Sequence, residues 1–260
     1  MANAWIVPPL SGAGGNASST TIGAPANVLN DYAGVIWKSG SAASIDLVVD
    51  LGADRLFDTA LLFGITDAPT SASVTIYLDT MAGGGSFSPP KWSSAVQPVY
   101  AGTQPAAAGG VMIADLAGAP AARYVLFRFT NATAFSIAVA RAVIGKRIQL
   151  ERNFNGITVG VKDLGALDFS ARAVLLRRRA KKLRTLSLTF SNVLKAEVES
   201  AVQPMLEKIG NTEMIAIVTD PAADPMRQRR SFFGPLVGEQ GQAWRKADRW
   251  EAKLNMVSIF

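Results

Sequence analysis

The sequence predicts a mainly β protein made of two β units, the second of which also carries one α-helix. Three observations predict this fold class. Short runs of β-branched and aromatic residues alternate with Gly, Pro, Ser, Asp and Thr over residues 43–144, a pattern typical of a β-sandwich. Charge density rises sharply at Gly145-Lys146-Arg147, which indicates a domain boundary. In the second half, strands with strict apolar alternation flank one stretch of helical periodicity.

The first part of the chain is expected to hold an arm and a sandwich. Residues 1–26 are rich in Gly, Ala, Ser, Asn and Pro, so we expect an extended arm there. The sandwich is expected over residues 27–145. A structureless loop over the Gly/Ala/Pro-rich residues 81–120 would be unusual, so one or two short strands are expected inside it. The other predicted strands cover residues 45–49, 59–63, 73–78, 124–129 and 135–143.

The second unit is expected over residues 146–260. Residues 185–190 place their apolar side chains on alternate positions, which predicts a strand. A helix over about residues 193–209 follows, capped by Ser191 or Asn192 and stopped by Gly210, with Pro204 kinking or splitting it. Further strands are predicted at residues 214–219, at residues 231–237 and along the alternating run Trp250, Ala252, Leu254 and Met256.

Composition argues against catalysis. The chain has no cysteine, which excludes disulfides, thiolate metal sites and cysteine nucleophiles. It has no histidine either, which removes the most common general base and the most common transition-metal ligand. We therefore expect no enzymatic activity, no cofactor and no metal.

The net charge of +6 is distributed unevenly. Residues 1–140 hold 5 basic and 8 acidic side chains, whereas residues 141–260 hold 21 and 12, so the two parts carry −3 and +9. The two parts are therefore expected to face different neighbours. The N-terminus shows neither a basic region followed by an apolar one nor a membrane-spanning stretch, so we expect a protein made in the cytoplasm and not inserted in a membrane.

The first unit resembles the discoidin, or coagulation-factor C-type, family. The matching residues are Asn30-Asp31 ahead of Trp37, the run Ile45-Asp46-Leu47-Val48-Val49-Asp50-Leu51-Gly52, the run Ala122-Arg123-Tyr124-Val125-Leu126 and a closing strand over residues 137–143. The resemblance implies a galactose-binding-like jelly-roll β-sandwich with Trp37 in its core. The disulfide that staples extracellular members cannot form here. Glycan binding does not follow from the fold, because family members bind through variable loops.

The second unit looks like the tail-tube-type β domain of distal tail and minor tail proteins of siphophages. The match begins at Ile144-Gly145-Lys146-Arg147, passes through the strand at 186–190 and the helix ending at Gly210, and continues with Phe233-Gly234-Pro235-Leu236 and the Trp250 strand. This resemblance implies a tail-tube-like sandwich or barrel that assembles into a homo-oligomeric ring, a hexamer, in the tail tip of a virion. The implied partners are the tail tube, hub, tape-measure and fibre proteins.

Seven basic residues with no acid among them form the densest charge in the chain. They could contact phosphates, although the segment lacks the interleaved aromatics that stack on bases, so no sequence-specific nucleic-acid binding is expected. The alternative is a solvated strand or an interface with acidic neighbours, and we favour contacts between subunits or the outer surface. These residues are Arg172, Arg177, Arg178, Arg179, Lys181, Lys182 and Arg184.

Three aromatic residues on expected loops, Tyr32, Trp92 and Tyr100, are candidate contacts for a glycan or a protein partner. Asp46 and Asp50 fall on one face of a strand, where two carboxylates could act as a general acid and a general base. The favoured alternative is a solvated strand face that ends in a turn. The turn from Asp220 to Asp224 could chelate a hard cation but is expected to be only a turn.

Taken together, the sequence favours a virion structural protein of a phage tail tip that forms a ring joining the tail tube to the baseplate or fibres. The alternative is a carbohydrate-binding, lectin-like module that recognises a host-surface glycan. A nucleic-acid-binding protein is the third possibility, and an enzyme comes last.

Overall fold

The computed structural model describes residues 3–103, 109–238, 241–246 and 248–260, and it is mainly β, as the sequence predicts. By its contacts the chain divides into two units. The first takes the chain up to Gln149 together with Ala216–Ser231, and the second takes Leu150–Ile215 with Phe232–Phe260. This division differs from the expected boundary after residue 145, because a segment from the middle of the second half returns to the first unit.

The strands are, in chain order, β1 (Trp5–Val7), β2 (Gly14–Ala17), β3 (Trp37–Lys38), β4 (Ala42–Arg55), β5 (Thr59–Ile65), β6 (Ser73–Asp79), β7 (Trp92–Ser93), β8 (Gln97–Pro98), β9 (Gly110–Asp115), β10 (Ala122–Phe135), β11 (Ala138–Val139), β12 (Arg141–Gly145), β13 (Gly156–Asp163), β14 (Ala166–Phe169), β15 (Leu175–Arg178), β16 (Lys182–Leu194), β17 (Met214–Val218), β18 (Ser231–Pro235), β19 (Gly241–Lys246) and β20 (Arg249–Ser258). Two 3-10 helices cover Pro25–Leu29 and Arg227–Arg230. The α-helical segments are α1 (Lys195–Glu197) and α2 (Gln203–Ile209), joined by a π turn over Val198–Val202.

The first unit is a β-sandwich. One sheet has the order β2-β4-β10-β6-β7, with β8 also on β6, and the other has the order β12-β5-β9. Both sheets contribute to one apolar core, which also contains the fully buried Trp37. Three rows of side chains from β4, β10 and β6 line the first sheet's inner face: Ile45, Phe129 and Val74; Leu47, Phe127 and Ile76; Val49, Val125 and Leu78.

The arm expected over residues 1–26 is instead part of the first unit. Trp5, Ile6 and Val7 are buried, and β1 pairs antiparallel with β17. β2 adds to the edge of β4. The low complexity of this region concealed a three-residue apolar run that is long enough to pair as a strand.

The second unit contains a four-stranded antiparallel sheet of order β13-β16-β20-β19 and a hairpin of β14 with β15. The predicted alternation is confirmed on the two central strands, where Leu186 faces Met256 and Leu188 faces Leu254, all buried. β13, β14, β15 and β19 lie in stretches where no strand was predicted.

The predicted helix is present over residues 195–209, but its start and centre differ from expectation. β16 continues through Leu194, so neither Ser191 nor Asn192 caps the helix, and the Glu197 carboxylate accepts a hydrogen bond from the Leu194 amide instead. The π turn lies just before Pro204, which has no amide hydrogen to continue the regular ladder. Gly210 ends the helix with a positive φ of 53°, as predicted.

None of the helices in the part of the chain that the structure describes combines the length and the apolarity needed to cross a membrane.

Candidate functional site

An uncovered apolar stripe lies along β13, at one edge of the second unit's sheet. Ile157 pairs with Leu188 and Val159 pairs with Leu186, and directly opposed residues of an antiparallel pair share a face. Both leucines are buried, whereas Ile157, Val159 and Val161 are 44%, 57% and 66% exposed. The face that forms the core at the centre of the sheet therefore continues onto β13 without a cover.

The hairpin β14–β15 continues the antiparallel pairing of β13 with β16 beyond the ends of these two strands. The Leu164 amide donates to the Lys181 carbonyl at 3.2 Å, which carries the β13–β16 pairing into the hairpin. Phe169 pairs with Leu175, and Leu167 lies on the same face two residues away from Phe169. These three side chains are 62%, 49% and 64% exposed. We call Ile157, Val159, Val161, Leu167, Phe169 and Leu175 the exposed apolar surface.

The candidate basic residues divide into two sets. Lys181 donates to the Ile259 carbonyl at 3.0 Å, and Arg184 donates to the Phe260 carbonyl and lies over the Phe232 ring. These two therefore hold the last residues of their own chain. Arg177, Arg178, Arg179 and Lys182 line a recess of about 550 Å³ beside the hairpin, Lys182 forms a long ion pair with Asp163, and Arg172 is exposed near the hairpin's turn.

The three candidate aromatic residues lie in three different settings. Tyr32 is 76% exposed, and Trp92, on the edge strand β7, packs partly buried against the core. Tyr100 is also partly buried, and its hydroxyl donates to the Ala68 carbonyl at 2.9 Å. Burial and the nearby charge of Asp67 raise the pKa of the Tyr100 hydroxyl, so it remains a hydrogen-bond donor at neutral pH.

Tyr100 lines a cavity of about 750 Å³ in the first unit. Ile65, Ala68 and Pro98 are apolar members of its lining, and Thr70 and Thr103 are members that carry hydroxyls. Gln228, which no sequence signal marked, completes the wall with backbone from Gly102, Gly109 and Gly110. Its contribution could not be anticipated, because it lies 117 residues after the strand that it contacts.

The two carboxylates considered as an acid–base pair are each bound by an arginine. Arg128 holds Asp46 through two hydrogen bonds of 2.8 and 2.9 Å, and Arg123 holds Asp50 through two of 2.7 and 2.8 Å. The Arg123 guanidinium lowers the pKa of the Asp50 carboxyl, so Asp50 is ionised at neutral pH. This face of β4 is therefore an ion-paired strand face, whereas the favoured alternative was a solvated one.

The Asp220–Asp224 turn is held by ion pairs from one arginine to both of its aspartates. Arg230 contacts the Asp220 carboxylate at 3.1 Å and the Asp224 carboxylate at 3.4 Å. Asp220 and Asp224 also accept hydrogen bonds from the backbone amides two residues later, which is the geometry of an Asx turn. The turn is therefore held by side-chain and backbone contacts within the first unit.

Comparison with known proteins gives only distant structural likenesses. No family model and no curated protein matches the chain. A chitosan-binding module from a Paenibacillus chitosanase/glucanase matches at 19% identity and a TM-score of 0.39, over 54% of this chain and 98% of that one. A fucose-binding module from Streptococcus pneumoniae matches at 16% and 0.40, over 54% and 96%. The structure of reduced XRCC1 bound to the DNA polymerase β catalytic domain matches at 12% and 0.40, over 54% and 98%. Likenesses this distant do not allow the ligands of those proteins to be assigned to this chain.

Proposed function

We propose that this chain is a structural subunit of an assembly and that its second unit joins it to further copies. The observation that carries the proposal is the exposed apolar surface, six large apolar side chains on β13 and the hairpin, each at least 44% exposed. Apolar side chains scattered singly over a surface need no explanation, but a concentration of this kind is typical of a protein–protein interface.

The sheet's open edges support a second copy as the partner. β13 and β19 are the two outer strands of the sheet, and outer strands expose unpaired backbone groups that favour pairing with another chain. Pairing β13 of one copy with β19 of the next would be a head-to-tail contact, which closes into a ring when its rotation permits. Trp244 on β19 is 59% exposed and stacks on Trp250, giving that edge an aromatic side chain for the contact.

The exposed arginines would add an electrostatic component to this contact. Leu167 pairs with Arg177 on β15, so a cation lies beside the apolar side chains of the hairpin. The second half of the chain holds 12 acidic residues, which a neighbouring copy can offer as partners. A contact between copies would give partners to the five candidate basic residues other than Lys181 and Arg184, which hold the end of their own chain.

The more specific form of the proposal is a virion component of a phage tail tip, which rests on the resemblance of the second unit to tail-tube-type domains. In that form the ring contains six copies, and the neighbouring subunits are the tail tube, hub, tape-measure and fibre proteins.

The test compares substitutions on the two faces of the same strands. Native mass spectrometry and light scattering after sizing should show that the wild-type chain associates at micromolar concentration. The double variant Val159→Ser/Phe169→Ser should be monomeric, and its unfolding midpoint should equal that of the wild-type chain at a dilution where the wild type is monomeric too. The matched control Thr158→Ser/Asp168→Ser changes the opposite faces of β13 and β14 and should associate normally.

A wild-type chain that stays monomeric at all concentrations would overturn the assembly proposal. Association into a number of copies other than six would retain assembly and overturn the tail-tip ring. Electron microscopy of the associated species distinguishes a closed ring from an open filament.

A second candidate function, carbohydrate recognition by the first unit, is favoured by one observation. Tyr100 lines a cavity together with apolar residues and two threonines, a combination typical of small-molecule sites. Binding of the full chain to an array of glycans tests it, and the absence of binding to any neutral or charged glycan would overturn it.

A further inference from the structure

We propose that the Tyr100 cavity of the first unit binds an uncharged sugar ring, a pyranose, by stacking its C–H face on the tyrosine and hydrogen bonding its hydroxyl edge. This inference rests on the second candidate function and assigns its site and ligand class.

The cavity's wall is built from two distant segments that buried hydrogen bonds hold together. The side chain of Gln228, 1% exposed, accepts a hydrogen bond from the Val111 amide at 2.9 Å and donates to the Gly102 carbonyl at 2.8 Å. The Thr103 amide donates to the Pro225 carbonyl at 3.1 Å. These bonds keep the cavity in shape without a ligand, which reduces the entropy lost on binding.

The Tyr100 ring is also fixed in place. A Cβ added to Gly110 would lie 2.1 Å from Tyr100 Cε1, so the ring packs directly on the glycine backbone. The hydrogen bond from the Tyr100 hydroxyl to the Ala68 carbonyl holds the other end of the side chain. A ring held at both ends presents a defined aromatic surface for stacking.

The lining selects an uncharged ligand. Among the described residues that line the cavity, none has a charged side chain, so a charged ligand would lose its hydration without gaining a counter-ion from them. Apolar contacts come from Ile65 and Pro98, and the Thr70 and Thr103 hydroxyls each supply a donor and an acceptor. A pyranose has both features that this lining can satisfy, an apolar face and a rim of hydroxyls.

The size of the cavity agrees with this ligand class. Its volume of about 750 Å³ lies within the ~300–1,000 Å³ that small-molecule sites occupy. The cavity therefore has room for a pyranose together with the next residue of an oligosaccharide.

The test measures binding of the full chain by calorimetry and by ligand-observed NMR. The probes are methyl galactoside, methyl fucoside and N-acetylglucosamine, with methyl glucuronide as the charged analogue and with phenol and cyclohexanol as rings that lack the hydroxyl rim. We expect at least one neutral sugar to bind at least ten-fold more tightly than the glucuronide and the two simple rings.

The site is tested with a variant that fills the cavity from its exposed rim. Thr70→Trp should reduce sugar affinity at least ten-fold while leaving the unfolding midpoint unchanged, because Thr70 is exposed. Tyr32→Ala is the matched control, since it removes the most exposed candidate aromatic at a position outside the cavity lining.

Each of the other outcomes overturns one part of the proposal. Absence of binding to all three neutral sugars and to a glycan array overturns carbohydrate recognition and the cavity assignment together. Sugar binding that survives Thr70→Trp or is lost with Tyr32→Ala overturns the cavity assignment alone. Equal binding of glucuronide, phenol or cyclohexanol overturns the assignment to uncharged sugars.

Discussion

At the scale of single residues, the first unit's outer face is organised by two arginine–carboxylate pairs. Asp46 and Asp50 lie four residues apart on β4 and so point to one side, as the sequence predicts. Their partners on β10, Arg128 and Arg123, come from 82 and 73 residues further along the chain. The spacing of the aspartates could be predicted, but the identity of what faces them could not.

The first prediction concerns Asp50. Asp50→Asn removes the charge that holds Arg123 and should lower the unfolding midpoint by a few degrees at neutral pH. Because the pair lowers the folded-state pKa of Asp50, its stabilisation is present above the unfolded value of about 3.9 and is lost as pH falls through the folded value. Wild type and variant should therefore converge in stability as the pH is lowered, as thermal unfolding measured from pH 7 to 2 can show.

The control for Asp50→Asn is Asp168→Asn, which neutralises an exposed carboxylate on the hairpin. It should leave the unfolding midpoint unchanged at every pH. An Asp50→Asn protein as stable as wild type at pH 7 would show that the pair does not contribute.

The second prediction concerns Gly110, whose importance comes from its neighbour rather than from its backbone angles. Gly110→Ala places a methyl group 2.1 Å from Tyr100 Cε1, and the ring cannot move away without breaking its contact with Ala68. We expect a loss of about 1–3 kcal/mol in the free energy of unfolding, measured by urea denaturation.

Gly14→Ala provides the matched control, since it also lies on a strand of the first unit and a Cβ there meets nothing within 4 Å. It should be neutral or slightly stabilising. Equal effects of the two substitutions would contradict the close packing of Tyr100 on Gly110.

At the scale of elements, strands could be predicted where apolar and polar residues alternate, because one face is then buried and the other is exposed to solvent. The alternation along β20 and β4 made both strands predictable. β13 also alternates, with Ile157, Val159 and Val161 on one face, and that signal could have been used. Its glycines and the charges that follow made the stretch resemble a loop, and alternation of this kind does not tell whether the apolar face is covered.

The third prediction compares two strands of one sheet face. Leu188→Ala on β16 removes a fully buried side chain and should cost about 2–5 kcal/mol of unfolding free energy. Val159→Ala on β13 removes an exposed side chain from the same face and should change it by less than about 0.5 kcal/mol, when both are measured under conditions where the chain is monomeric.

Raising the protein concentration should reveal a second effect of Val159→Ala, on self-association. Val159→Ala should weaken self-association, whereas wild type should gain stability as it assembles. A large loss for Val159→Ala in the monomer would mean that the stripe is covered within the chain.

At the scale of the whole molecule, the first unit is discontinuous in sequence. Ala216–Ser231 belongs to it, pairing β17 with β1 and bringing Gln228 to the Val111 amide. The proposed sugar site therefore depends on residues that a cut at the sequence boundary would remove.

The fourth prediction tests this dependence with a fragment of residues 1–149. The fragment should unfold at a lower temperature than the first unit of the full chain, because β1 loses its strand partner. Its Val111 amide should exchange with solvent faster, because the bond from Gln228 is gone.

Adding a peptide of residues 214–231 should restore protection of the Val111 amide. A fragment as stable and as protected as the full chain would contradict the contribution of the returning segment.

The sequence by itself determined the mainly β class, the central strands of both units and the helix with its stop at Gly210, because each depends on periodicity or backbone preference within a few residues. Only the tertiary structure decided which arginines face Asp46 and Asp50, that residues 216–231 return to the first unit, and that β13 keeps its apolar face exposed. The physical reason is that a local pattern marks the side of an element that avoids water, whereas the group that covers that side can come from any distance along the chain or from another molecule.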